Sequence, residues 1–474
     1  MKLNKYLIEF NKEEVKYVQL AKHIKRLIDK GLIENEEKLP PIRQLSRELG
    51  VNNVTIVNAY KKLQQEGYAL LKMGSGTYAK KKENNLSFKR EYSNTFRKLN
   101  SNSVKEIIDF AGETTSSSYF PVQEFKEILN QVIDRDGAEA LTYQEALGYE
   151  GLRDIIHKSF WNDNIDYNDI LIVSGAQQGI DIISKALINV NDNVIVEKPT
   201  YGGALSVFQG RRANIYEVNI EKDGVNLENF EKILMKNNIK VFYTMSYFQN
   251  PTGATYSLEK KRRILELAEI YDFYIVEDDY LSELIYDKNI TYESFKSLDF
   301  HDRVIYIKSF SKIFLPGIRI GYIVTPSKFR DSIQNCKINT DISTSSLMQR
   351  ALSLYIEKGL WKSHIEFLNK EYRARYSYME KYLKEELKDK VSFISPGGGL
   401  TFFIQLNDNI KINSTELFYK AREKKVLITP AVIFYKNPRE GLRAFRIGYS
   451  QTNEKKINEG LDILCRIMEE SYEL

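Results

Sequence analysis

At 474 residues the chain is longer than one ordinary core, and two or three folding units are expected. Hydrophobic residues make up 42% and charged residues 28%, which excludes wholesale disorder and leaves ample material for a large buried core. No apolar run approaches the roughly 18 residues that span a bilayer, and the lysine-rich start lacks the features of a signal peptide, so a cytoplasmic protein without a membrane partner is expected. Two cysteines, Cys336 and Cys465, and four histidines are too few for a disulfide framework or a metal centre, and no metal is expected.

The net charge of +5 is unevenly spread, with 14 lysines and 3 arginines against 9 acids from Met1 to Lys82, a local net of +8. That suits a small phosphate-binding domain on a larger, nearly neutral one, although Lys80, Lys81 and Lys82 could equally do no more than solvate a linker.

Residues 1–80 form the first region. Val18, Leu20, Ile24, Leu27 and Ile28 recur at near-helical spacing before Gly31, predicting a first helix. Leu39-Pro40-Pro41-Ile42 opens a second, with Leu45 and Leu49 on its apolar face and Gly50 as its stop. Asn52-Asn53 offers an N-cap for a third, with Val57, Tyr60 and Leu63 inward and Gly67 at its end. Tyr68–Leu71 and Thr77–Ala79 read as short strands around Gly74-Ser75-Gly76, a wing following a helix-turn-helix.

Such a motif reads double-stranded DNA with its second helix, whose first residues must be small or polar and face outward. Asn52, Asn53 and Thr55 meet that need, Arg43 could hold a phosphate, and Lys61, Lys62 and Lys72 add non-specific attraction. Gly74 and Gly76 would let the wing approach the minor groove. The alternative is a helical protein-interaction domain with a solvated basic face. The run Leu39-Pro40-x-x-Arg43-x-Leu45-x-x-Glu48-Leu49-Gly50-Val51, then Thr55, Ala59-Tyr60, Leu63, Glu66-Gly67-Tyr68 and Gly74-Ser75-Gly76-Thr77, resembles the GntR superfamily of winged-helix regulators. Many members carry Arg where this chain has Asn53.

Residues 81–106 are polar and charged without an apolar period and read as a linker. From 107 to 474, apolar runs at Ile170–Val173, Asn193–Val196, Val241–Thr244, Tyr274–Val276 and Val304–Ile307 alternate with helical stretches. That implies parallel strands with crossover helices, an α/β sheet covered on both faces, over about 107–325. A small α+β part follows over about 326–474, around Phe393–Ile404 and Arg443–Tyr449.

Ligands collect at strand ends in such sheets. Ser309-Phe310-Ser311-Lys312 follows one strand, Asn250-Pro251-Thr252-Gly253 lies beyond another, and Glu277-Asp278-Asp279-Tyr280 ends a third. Arg319 comes seven residues after the lysine, Ser174-Gly175-Ala176-Gln177 offers a phosphate-binding helix start, and Arg446 lies near the C-terminus. A single lysine is far more often a solvated amine, and the turn and acidic run could be a plain turn and a solvated cap. Pyridoxal phosphate (PLP) chemistry, however, asks for this company: a lysine to bind its aldehyde, a carboxylate to pair with its pyridinium, and donors for its phosphate.

The order resembles the class I aminotransferases of PLP fold type I from about Ile107 to the end. The resemblance implies Lys312 as the Schiff-base lysine, Asp278 as the pyridinium partner with Asp279 as fallback, and Asn250 and Tyr280 as ligands of the ring hydroxyl. It implies Tyr201 stacked on the ring, and phosphate held by Ala176, Gln177, Ser309, Ser311 and Arg319. Lys312, Asp278 and Tyr280 are the implied catalytic set, and Arg446 would take an α-carboxylate. Tyr143, in Tyr143-x-x-x-x-Gly148-x-x-Gly151-Leu152-Arg153, would reach the neighbouring subunit's cofactor.

Together the halves resemble the MocR/GabR group of regulators. That implies a head-to-tail homodimer whose DNA binding responds to an amino acid or amine through aldimine exchange at Lys312. GABA-responsive members carry an arginine where this chain has Gly203. A working aminotransferase with an accessory winged helix, and a PLP-free scaffold, are the alternatives.

Overall fold

The computed structural model describes residues 3–8, 10–11, 15–29, 32–34, 37–65, 68–72, 75–80, 88, 92 and 107–471. They fall into two compact units, Met1–Ser103 and Val104–Leu474. Most of the expected linker, and the expected stops Gly31 and Gly67, lie outside the described residues.

In the first unit, helices Lys16–Asp29, Ile42–Leu49 and Asn53–Gln65 precede an antiparallel pair, Ala69–Lys72 with Gly76–Ala79. Gly50 ends the second helix in the left-handed region at φ 59°, its N–H returning to the carbonyls of Ser46 and Arg47. The Asn52 side chain accepts from the Val54 N–H at 3.0 Å and starts the third helix. Leu20, Ile24, Leu45, Ile56, Ala59, Tyr60 and Leu63 share one core. Val57, expected inward, is only half-buried. Ile56, Ala59, Tyr60 and Leu63, at i, i+3, i+4 and i+7, make the continuous inner face, and Val57 falls at its margin.

The second unit carries an eight-stranded sheet in the order Ile170–Val173, Gly321–Val324, Val304–Ser309, Tyr274–Asp279, Ile239–Thr244, Asn193–Lys198, Asn214–Glu221, Gly224–Val225. It is mixed, not wholly parallel as the sequence pattern implied. Gly321–Val324 runs against both neighbours, and Gly224–Val225 turns back on its predecessor. The physical reason is connection length, since the loop from Ser309 to Gly321 holds one short 3₁₀ turn and no crossover helix. The strands Tyr274–Asp279 and Val304–Ser309 are buried throughout, apolar on both faces over Tyr274–Val276 and Val304–Ile307 and charged or polar only where they end, at Glu277–Asp279 and at Lys308 and Ser309.

The smaller antiparallel sheet runs Val391–Phe393, Thr401–Leu406, Ala444–Gly448, Thr429–Pro430, preceded in the chain by the long helix Leu360–Glu386. Ile108–Asp109, at the start of the unit, pairs in parallel with Val426–Leu427. The N-terminal segment is thereby carried from the C-terminal part towards the large sheet.

Leu45, with no exposed surface, anchors the first unit's core. Leu45→Ala should destabilise that unit by about 2–5 kcal/mol, read as faster hydrogen exchange across residues 16–65.

Candidate cofactor site

Three neighbouring parallel strands, Ile239–Thr244, Tyr274–Asp279 and Val304–Ser309, end on the same side of the large sheet. A cavity of about 190 Å³ opens there, lined by Ala176, Gln177, Tyr201, Met245, Asn250, Asp278, Tyr280, Ser309, Ser311, Lys312 and Arg319. Ten residues singled out from the sequence thus meet in one space, with Met245 added. Tyr143 is not among them; it is 80% exposed on a loop.

The pleat decides between the two aspartates. Successive side chains of a strand point to opposite faces. Asp278 faces the cavity, where Tyr243 on the adjacent strand donates to its Oδ2 at 2.7 Å. Asp279 points away and accepts from Ser282 Oγ at 2.7 Å, Tyr292 at 2.7 Å, Tyr306 at 2.8 Å and Lys308 at 3.1 Å. Lys308 sits opposite Asp279 in the parallel register, which explains the pairing. The fallback assignment to Asp279 is therefore excluded by geometry.

Asp278 Oδ1 is buried with no hydrogen-bond partner among the described residues, and so is Ser311 Oγ. Burial, with the adjacent Asp279 carboxylate adding to it, pushes the Asp278 pKa up to about 6, against the pull of the Tyr243 hydrogen bond. A carboxylate in that state is suited to a cationic N–H donor, as a protonated pyridine ring provides.

The helix Ala176–Leu187 opens at the cavity without a side-chain cap, because its first flanking residue is Gly175. Gly175 has φ +93°, and a Cβ there would lie 2.9 Å from Arg319 Nη2. Glycine therefore lets the guanidinium close on the helix start, where Arg319 donates to the Ser174 carbonyl at 2.8 Å. Helix amides, Ser309, Ser311 and Arg319 together form a cradle of donors fit for a phosphate. Tyr201 donates to Gln177 Oε1 at 3.2 Å, and a Cβ on Gly203 would fall 2.3 Å from Gln177 Oε1 and 2.4 Å from the Tyr201 ring. Tyr280 donates to the Phe248 carbonyl at 2.8 Å, so its hydroxyl is held in place from behind.

Two participants had no signal in the sequence. Tyr243 is one. The other is Glu113, whose Oε2 accepts from Lys312 Nζ at 3.0 Å and Asn250 Nδ2 at 3.1 Å, while its Oε1 lies 3.0 Å from Arg446 Nη2. Burial alone would raise the Glu113 pKa, but Arg446 and then Lys312 outweigh it and hold the carboxyl well below its ordinary range. Arg446, on the strand Ala444–Gly448, also donates to Asn250 Oδ1 at 2.6 Å.

The residues proposed for DNA lie in the other unit. Arg43, Asn52, Asn53 and Lys61 are exposed and Thr55 is half-buried. Val54, 59% exposed at the start of the third helix, is an apolar candidate for base contact that sequence reasoning missed. Gly76 has φ +118°, and its Cβ position lies 3.1 Å from Lys38 Cε. Gly74 and the Lys72 side chain lie outside the described residues. Among the described residues no helix is long and apolar enough to cross a membrane.

A strand-end cavity with a lysine, a buried aspartate and a donor cradle, in a chain that also carries a winged helix, defines a PLP-binding protein with a DNA-binding domain. Comparison with known proteins agrees. The chain belongs to the family "Aminotransferase class I and II", matched over residues 112–464, and residues 16–79 match "Bacterial regulatory proteins, gntR family". It is 32% identical to aromatic-amino-acid aminotransferase 1 of Thermococcus litoralis, over 77% of this chain and 89% of that protein. It is 28% identical to the uncharacterized HTH-type transcriptional regulator YdfD of Bacillus subtilis, over 94% of this chain and 95% of that one. Among solved structures it is similar to Pyrococcus horikoshii kynurenine aminotransferase, described in complex with PMP, with TM-score 0.75 and 31% identity over 80% of this chain and 94% of that one. The pairing of domains is that of MocR/GabR-type transcription regulators.

The raised Asp278 pKa carries a sign. The unfolded carboxyl ionises near its ordinary value of 3.8 and the folded one near 6, so its contribution to stability is fully present below about pH 4 and lost as pH rises through 6. Asp278→Asn should therefore gain stability relative to the parent at pH 8 compared with pH 4, by up to about 3 kcal/mol, in denaturant melts of cofactor-free protein.

Proposed function

We propose that this protein is a PLP-dependent transcription regulator that senses an amino acid or related amine at the cavity around Lys312. The observation that carries the reading is a lysine amine and a buried, unpartnered aspartate oxygen facing one small cavity beside a phosphate cradle. When bound, the cofactor supplies an aldehyde that condenses with amines and a ring that withdraws electrons. Lys312 attaches it. Asp278 Oδ1 would accept from the protonated ring nitrogen, with Tyr243 fixing the carboxylate from behind through Oδ2. Tyr201 would lie against the ring, Asn250 and Tyr280 would serve the ring hydroxyl, and Ala176, Gln177, Ser309, Ser311 and Arg319 would hold the phosphate. Arg446 stands where an effector carboxylate would dock. Tyr143, out on its loop, is free to reach a partner subunit in a head-to-tail homodimer.

The winged helix would read DNA through Asn52, Asn53 and Thr55, with Arg43, Lys61, Lys72 and the wing glycines Gly74 and Gly76 at the backbone. An effector changes DNA binding only if it binds one state of the protein more tightly than another. A second reading, a working aminotransferase, is favoured by the similarity to named aminotransferases at 32% identity.

Lys312→Ala should abolish the visible cofactor band and the effector-dependent change in a gel shift with the adjacent promoter DNA; retention of both would refute the assignment. Arg43→Ala should weaken DNA binding across sequences and reduce the slope of log K against log salt by about one. Steady turnover of an amino acid with an oxo acid, without any sequence-selective shift, would favour the enzyme.

A further inference from the structure

We infer that Glu113 sets which effectors the site accepts, favouring primary amines that lack an α-carboxylate over α-amino acids. The inference rests on the effector-binding reading above and narrows it to a chemical class. The guanidinium that would dock an effector carboxylate already has acceptors. Arg446 Nη2 faces Glu113 Oε1 at 3.0 Å, and Nη1 donates to Asn250 Oδ1 at 2.6 Å. Arg446 is only 2% exposed, so its charge is compensated inside the protein.

Glu113 is held there by its backbone rather than by chance of rotamer. Asp109 Oδ1 accepts from the Ala111 N–H at 2.8 Å and the Gly112 N–H at 3.0 Å, turning the chain just before it. Just after it, Gln451 Nε2 donates to the Thr114 carbonyl at 2.6 Å, and the Thr115 N–H donates to the Lys312 carbonyl at 2.9 Å. The carboxylate is thus tethered beside its arginine at high effective concentration, and an incoming α-carboxylate must displace it.

An incoming amine meets the opposite situation. Glu113 Oε2 lies 3.0 Å from Lys312 Nζ, so an ammonium that approaches that nitrogen finds an acceptor already oriented. With Lys312 engaged by the cofactor, Arg446 remains as the cation of Glu113. A primary amine leaves that pair intact; an α-amino acid breaks it.

The test compares L-norvaline with butylamine, the same carbon skeleton with and without the carboxylate. Full-length PLP-loaded protein is titrated and followed by the cofactor band and by calorimetry. The parent should bind butylamine at least as tightly as norvaline. Glu113→Gln, and independently Glu113→Gly, should tighten norvaline by about tenfold or more and weaken butylamine, reversing the preference. A parent that prefers norvaline about tenfold overturns the inference whatever the variants do, and so does a preference unchanged in both variants. A parent that takes up no PLP overturns the sensor reading instead. Calorimetry of the cofactor-free protein with norvaline then still reads whether Glu113 masks Arg446, by the same gain in the variants.

Discussion

The site is arranged by one constraint, that a carboxylate taken out of water must find a partner. Glu277, Asp278 and Asp279 are consecutive and all buried at the end of one central strand. The pleat sends Asp278 to one face and its neighbours to the other. Glu277 accepts from Ser246 Oγ and from the backbone N–H groups of Phe295 and Lys296. Asp279 is met by Lys308 and three hydroxyls. Asp278 has Tyr243 on one oxygen and no partner on the other, and that oxygen belongs to a residue lining the cavity with Lys312.

The same constraint ties distant parts of the second unit together. Glu113 comes from the N-terminal segment, Lys312 follows a strand of the large sheet, and Arg446 sits on the small sheet. Their charges meet in one bridge with Asn250 in its middle. A ligand that breaks the bridge alters the contact between all three segments at once. This is the kind of local electrostatic change that can bias one arrangement of a protein over another.

Much of this was legible along the chain because it is local. The helix stop at Gly50, the cap at Asn52 and the strand-end positions of Lys312, Asn250 and Asp278 follow from turn chemistry, capping and apolar runs within a few residues. Legibility failed where neighbours in space are far apart in sequence. Glu113 reaches Lys312 across 199 residues and Asn250 across 137, and nothing around it in the chain marks it out. Tyr243 finds Asp278 35 residues away. The reversed strand Gly321–Val324 escaped because buried strands look equally apolar in either direction.

The sequence by itself determined the two-part organisation and the succession of strands and helices, since each depends on local propensity and period, and it pointed to the residues suited to a phosphorylated aldehyde cofactor through their order along the chain, which resembles that of a known family. Only the tertiary structure decided which of two adjacent aspartates faces the cavity, which strand runs backwards, and which acid neutralises Arg446. Those outcomes depend on strand register and on charges brought together by the fold, and neither is encoded in any short stretch of chain.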